Sequence, residues 1–272
     1  MKLLRQIFDF YIDSSIHVSI AVLSLQAVIM IKYCSIINNE LLLFTFFSTL
    51  FAYNFIKYAQ YLIDYNNRIS NKLKAIIFIS IISLLLLLFL SVKLSLYELI
   101  ITLLTGIITF LYAIPFFVSS NSNLRGIKGL KIYVVGLVWT LIIVLLPLEY
   151  LEYSSLYFIL ANFIQIYLYV LIAIIPFEIR DIEIDDKRLS TIPQKIGVKR
   201  TKIIGLTMIL AFVLIELLKI SLFNINSMSF DFILVVLLMA FMIFNANEKQ
   251  KKYYSSFWVE GLPIIWVIIL FF

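Results

Sequence analysis

The chain has 272 residues, of which 63% are hydrophobic and only 14% charged, and its mean hydropathy is +1.05. A soluble domain of this size carries about 25% charged residues, so the composition excludes a water-soluble globular protein and indicates an integral membrane one. The net charge of +6 comes from where Lys and Arg fall between apolar runs, and no nucleic-acid-binding motif accompanies it.

A helix crossing the hydrocarbon needs about 20 apolar residues. By that measure the sequence predicts nine transmembrane helices, at roughly 14–35, 40–62, 74–94, 97–119, 129–148, 154–177, 202–223, 229–246 and 255–271. The runs are too long and too continuously apolar for a β-barrel, and they leave no room for a soluble domain. Residues 1–272 therefore read as one all-α transmembrane domain. Every Lys and Arg except Lys32, Lys93 and Lys219 falls on one side of this arrangement. The positive-inside rule makes that side cytoplasmic, together with the N-terminus. Such a protein belongs in a lipid bilayer, with the bacterial inner membrane as the expected site.

Isolated features carry less. Asp9 and Asp13 precede the first span, which is too long for the apolar part of a cleavable signal. Cys34 is the single cysteine, so no intramolecular disulfide or CxxC metal site forms. His17 is the single histidine and reads as an interfacial or packed residue. Glu216 lies near the outer end of its span and is expected to snorkel. Glu260 lies inside the last span near a helix end, where an ionisable group either is functional, or snorkels or makes a polar bundle contact.

The loop after the sixth span is the most charged. "PFEIRDIEIDDKRLSTIPQKIG", residues 176–197, contains Glu178, Asp181, Glu183, Asp185 and Asp186, five of the 16 acids. Two readings stand open: a self-neutralising loop, or a cation site at the membrane face. If the helix continues past Pro176, residues 178, 181 and 185 share one face and two carboxylates stack one turn apart. Hard oxygen ligands of this kind hold Mg²⁺ together with substrate phosphates.

The order Asp181-x-x-x-Asp185, followed by Thr191-x-Pro193-x-Lys195-x-Gly197, resembles the second aspartate motif of UbiA-type intramembrane prenyltransferases. The span count and orientation are similar to that family's as well. The resemblance implies nine helices around a central cavity opening to the cytoplasmic side. It also implies transfer of a prenyl group from a polyprenyl diphosphate to an aromatic or lipid acceptor, with Mg²⁺ bridging the diphosphate to two acidic motifs. On this reading Asp181, Asp185 and Asn54 are catalytic, and Glu178, Asp181 and Asp185 hold the metal. Lys57, Arg68, Tyr112, Lys131 and Lys195 bind the diphosphate.

The first motif of the family departs here. "YNFIKYAQYLIDYNNR", residues 53–68, keeps Asn54, but Phe55, Tyr58 and Leu62 stand at the three Asp positions. Lys57 sits where acids should gather. The third signature keeps Tyr112 and Pro115 and places Phe116 at its Lys, so Arg125, Lys128 or Lys131 would have to supply that cation. The alternative function is a non-catalytic isoprenoid- or lipid-binding protein, or an accessory subunit, on the same scaffold. A transporter is disfavoured by only seven glycines and the lack of a repeat.

Overall fold

The computed structural model describes residues 2–63, 70–113, 129–153, 155–186, 190–223 and 227–271. Ten α-helices follow one another: α1 (Lys2–Asp13), α2 (Ile16–Tyr33), α3 (Asn39–Ile63), α4 (Asn71–Ser91), α5 (Leu96–Ala113), α6 (Lys131–Thr140), α7 (Leu156–Arg180), α8 (Ile192–Phe223), α9 (Phe230–Asn245) and α10 (Leu262–Ile269). Seven are long and apolar enough to cross a membrane, counting α6 with its continuation to Tyr150; α9 and the 254–269 segment are shorter apolar helices. No strand occurs among the described residues.

Local chemistry sets several boundaries. Ser70 and Ser155 accept hydrogen bonds from the amides of Leu73 and Phe158, each at 3.2 Å, and so open α4 and α7. Ser95 and Glu98 form a reciprocal capping box at the start of α5, at 3.1 and 2.7 Å. The predicted fifth span is not one regular helix. α6 widens into a π-helical segment, Leu141–Leu145, and ends in a 3-10 turn, Leu148–Tyr150. Pro147 precedes that turn, and the Gln26 amide from α2 donates to the Ile142 carbonyl at 3.1 Å. The seventh span also starts earlier than expected, because α8 begins at Ile192 and breaks at Gly197, whose φ of 79° suits a residue without Cβ.

α2 packs on α3, and α5 through α9 follow side by side to α10, which returns to α2 and closes a ring. α4 lies outside, against α3. Of the span residues, 72% are buried in α2 and 17% in α4. The bilayer explains this order. α4 is mostly Leu, Ile and Phe and turns Phe78, Leu85, Leu88 and Phe89 outward. α2 carries Ser19, Ser24 and Gln26, which lipid tails would leave without hydrogen-bond partners.

Glu216 does not snorkel. It is buried with Lys219 on the inner side of α8, and their charged ends lie 2.9 Å apart. The Lys219 ammonium also donates to Tyr33 Oη (2.8 Å), Asn162 Oδ1 (3.1 Å) and Gln165 Oε1 (2.8 Å), and the Gln165 amide reaches Glu216 at 2.9 Å. Position along the span told the depth of Glu216, but not that helical spacing i,i+3 pairs it with a lysine facing inward. Nearby, Lys32 meets Asp231 at 2.6 Å, and Trp266 Nε1 donates to the same carboxylate at 2.7 Å.

The N-terminal helix α1 is an element beyond the nine expected spans. It leaves Leu3, Leu4 and Ile7 exposed and turns Phe8 onto Tyr253 and Phe257, with ring centroids 5.0 Å away in both cases. Asp9 pairs with Lys252 and accepts from Tyr253 Oη at 2.9 Å. Those hydrogen bonds, Lys252 first, hold the Asp9 carboxyl below its usual value, while Asp9 raises Lys252. A lowered carboxyl supports the clasp above its ordinary titration range and loses that support as pH falls through the lowered value. The hydrogen-exchange protection factors of residues 8–13 in nanodiscs are therefore expected to fall on acidification in the wild type. In Asp9→Asn they should already be low at neutral pH.

Candidate functional site

α7 carries Pro176 one turn before its end. Proline has no N–H, so the Ile172 carbonyl loses its helical donor, and the Gln250 amide donates to the Pro176 carbonyl at 2.8 Å. The helix nevertheless continues to Arg180 and stops there, with Asp181 as its C-cap. The expected single helical face through residue 185 is therefore not present. The Arg180 guanidinium forks onto its neighbour Asp181, Nε to Oδ1 at 2.7 Å and Nη2 to Oδ2 at 2.9 Å. The Asp181 carbonyl accepts from the amides of Ile184 (3.0 Å) and Asp185 (2.8 Å), which closes a turn.

That turn carries Asp185 back to Glu178. The two carboxylates share one ammonium, Lys131 Nζ, at 3.1 Å from Asp185 and 3.3 Å from Glu178. Glu178 is buried, and Lys131 comes from the first residue of α6, so this contact ties the sixth-span loop to the fifth span. Gln194 braces the turn from α8, with its amide donating to the Asp185 carbonyl at 3.0 Å and its Oε1 accepting from the Thr191 amide at 3.0 Å. Lys195 directs its ammonium to Gly129, standing 3.9 Å from where a Cβ would be. Thr191 Oγ1 is buried without a hydrogen-bond partner among the described residues.

The residues of α3 do not join this cluster by any hydrogen bond or ion pair among the described residues. Asn54 is buried and donates to Ser80 Oγ of α4 at 3.0 Å, with its Oδ1 unpartnered. Lys57 donates to Ser15 Oγ at 3.0 Å, and Tyr58 to the Asp13 carbonyl at 2.8 Å. Tyr112 is buried near the end of α5. Arg68, Arg125 and Lys128 lie outside the described residues.

Sequence reasoning left open the role of Glu260. It follows the second π-helical segment, Tyr254–Val259, and its amide donates to the Ser255 carbonyl five residues back at 3.0 Å. The charges of Lys57 and Arg180 act on it. Beside it, a Cβ on Gly261 would stand 2.6 Å from the Phe257 carbonyl and 3.1 Å from the His17 ring, so only glycine fits there. His17 is held by Tyr11 Oη and the Phe257 carbonyl, both at 2.9 Å.

Mg²⁺ demands near-octahedral oxygen ligands. Among the described residues no three of His, Cys, Asp or Glu converge to hold a metal. Glu178 and Asp185 share one ammonium and Asp181 is paired with a guanidinium, while α3 offers Asn54, Phe55, Lys57 and Tyr58. The expected metal set of Glu178, Asp181 and Asp185 is thus divided between two organic cations, and the donor set does not fit a two-motif magnesium cage.

Comparison with family models and with curated proteins gave no match. Solved structures do match over nearly the whole chain. A digeranylgeranylglyceryl phosphate synthase is 17% identical, covering 99% of this chain and 98% of its own, with a TM-score of 0.59. An apo UbiA homologue from Aeropyrum pernix K1 is 16% identical over 95% and 96%, with a TM-score of 0.60. A UbiA homologue from Archaeoglobus fulgidus, bound to GPP and Mg²⁺, is 12% identical over 97% and 98%, with a TM-score of 0.62. The chain has the UbiA-type prenyltransferase fold.

Proposed function

We propose that the protein is a single-domain, UbiA-like membrane prenyltransferase that takes a polyprenyl diphosphate at the end of α7 and transfers the prenyl group to an aromatic or lipid acceptor. The proposed topology has nine spans, with the N-terminus and the acidic turn at the cytoplasmic face of a bacterial inner membrane. The central cavity opens to that side. The observation that carries the reading is the Lys131 ammonium held between Glu178 and Asp185. An ammonium has three N–H donors, and two are committed to the carboxylates, so the third, without a partner among the described residues, would meet a diphosphate oxygen. Lys195 would add a second ammonium and Lys57 from α3 a third. Cationic donors fixed in advance stabilise the charge that grows on a leaving diphosphate as its C–O bond breaks. No step in this reading passes through a metal.

A second reading has a specific observation behind it. Phe55 and Tyr58 replace carboxylates on α3, and the α7 acids are already paired. Both features suit a protein that binds an isoprenoid diphosphate without turning it over. The test uses purified protein in nanodiscs with labelled geranylgeranyl diphosphate. The enzyme reading expects saturable binding, displaced by inorganic diphosphate, and diphosphate release when phenolic or alcoholic acceptors are added. Binding without release by any acceptor supports the binder, and no binding sinks both.

A further inference from the structure

We infer that Glu260 is the general base for the acceptor, and that the acceptor presents a hydroxyl to it; this rests on the diphosphate reading above. A carboxylate inside a transmembrane segment costs about 2.5–3.5 kcal/mol on insertion scales. The other acids within the bundle are repaid by direct partners: Glu216 by Lys219, Asp231 by Lys32 and Trp266, and Glu98 by the Ser95 amide and Tyr150. Glu260 has no hydrogen-bond or ion-pair partner for its carboxylate among the described residues.

Its placement is built rather than incidental. The π-helical segment before it inserts a residue into the helical register, and such bulges concentrate at functional sites. Three contacts locate this bend. Gly261 seats on His17 of α2, and Ser15, at the start of the same helix, holds Lys57 of α3. Gln250, on the loop leading into the bend, holds Pro176 of α7. Glu260 is therefore placed where the ends of α2, α3 and α7 meet. Its charge reaches Lys57 and Arg180, and also the phenols of Tyr53 on α3 and Tyr11 on α1. Arg180 links the two: it grips Asp181 of the acidic turn, and its charge acts on Glu260.

This setting selects the acceptor chemistry. Lys57 and Arg180 already balance the carboxylate from a distance, so a cationic ligand gains little there. A neutral hydroxyl instead donates directly to the unpartnered oxygen. As the acceptor oxygen attacks C1 of the prenyl chain, its proton passes to Glu260. A new C–O bond forms, the C1–O bond to the diphosphate breaks, and the diphosphate leaves with the bonding pair. The product is a prenyl ether.

The experiment uses full-length protein in nanodiscs, with labelled geranylgeranyl diphosphate and n-decanol or p-cresol as the hydroxyl probe. General-base catalysis contributes about 10²–10⁴-fold, so Glu260→Gln is expected to cut ether formation at least about 100-fold while diphosphate affinity stays at the wild-type value. Glu260→Asp recovers part of the rate. Wild-type transfer should fall on acidification, and the residual rate of Glu260→Gln should be flat over that range. The titratable groups whose charge interacts with Glu260 are Tyr11, Tyr53, Lys57 and Arg180, and His17 lies against the next residue, Gly261; Tyr53→Phe and His17→Gln, which keep the carboxylate, should retain the wild-type pH profile. Equal rates and profiles for Glu260→Gln and wild type overturn the assignment. So does wild-type protein that binds the diphosphate yet forms no ether with either probe. Failure of wild type to bind the diphosphate overturns the underlying reading instead.

Discussion

Lys131→Met is expected to lower thermal stability and to make the protein respond to Mg²⁺. Wild-type protein has its acids already paired, so added Mg²⁺ or chelator should leave its melting temperature unchanged. In the variant, Glu178 and Asp185 face one another with no cation between them. Removing one partner of a buried ion pair costs roughly 3–5 kcal/mol. Lys131 and Asp185 keep 26% and 20% of their side-chain surface exposed, so solvent screening places the loss toward the lower end or below it. Added Mg²⁺ should bind the two freed carboxylates and recover part of the stability, because a ligand that binds only the folded state stabilises it. Binding of geranylgeranyl diphosphate should weaken without metal and recover with it. A variant that melts like wild type and ignores Mg²⁺ would mean that the lysine does not stand in for a metal ion.

Glu216→Gln should have the larger effect on stability, and none that depends on metal. Lys219 is 1% exposed, and Glu216 is its single carboxylate partner among the described residues. Glutamine preserves shape and a hydrogen-bond acceptor but leaves the ammonium without a counter-charge inside the bundle. An uncompensated buried charge costs roughly 3–5 kcal/mol. Lys219→Met should cost a similar amount, since it strands the buried Glu216 carboxylate and removes the charged donor from Tyr33, Asn162 and Gln165. Removing both charges together, Glu216→Gln with Lys219→Met, should cost less than the sum of the two single changes. Thermal melts of the three variants in nanodiscs measure this, and strict additivity would mean that the pair does not stabilise the bundle.

Much of the fold was readable because the bilayer is a strict solvent. Apolar run length placed the helices to within a few residues, except where Pro147 and Gly197 alter the helix, and seven of the nine are long and apolar enough to cross a membrane among the described residues. The ends of α7 and α8 were harder. Pro176 and the "DIEID" run permit either a longer helix or a turn, and the choice was made by Arg180 capturing Asp181 and by Gln194 bracing the Asp185 carbonyl. Neither contact has a signature in local spacing. The short α1 was missed because it lies outside the apolar runs, although Phe8 and Tyr11 mark its packed face.

By itself, the sequence determined that the chain is a membrane protein, which runs are helical, and where the acids and bases gather along it. Hydropathy and charge are properties of segments, so a segment-level reading captures them. Only the tertiary structure decided which charges meet. Lys131 is distant in sequence from Glu178 and Asp185, yet it supplies the cation between them. Glu216 turns inward to Lys219, while the Glu260 carboxylate has no hydrogen-bond or ion-pair partner among the described residues. The physical reason is that a charge in a low-dielectric interior is governed by neighbours within a few ångströms, and helix packing brings those neighbours together from remote parts of the chain.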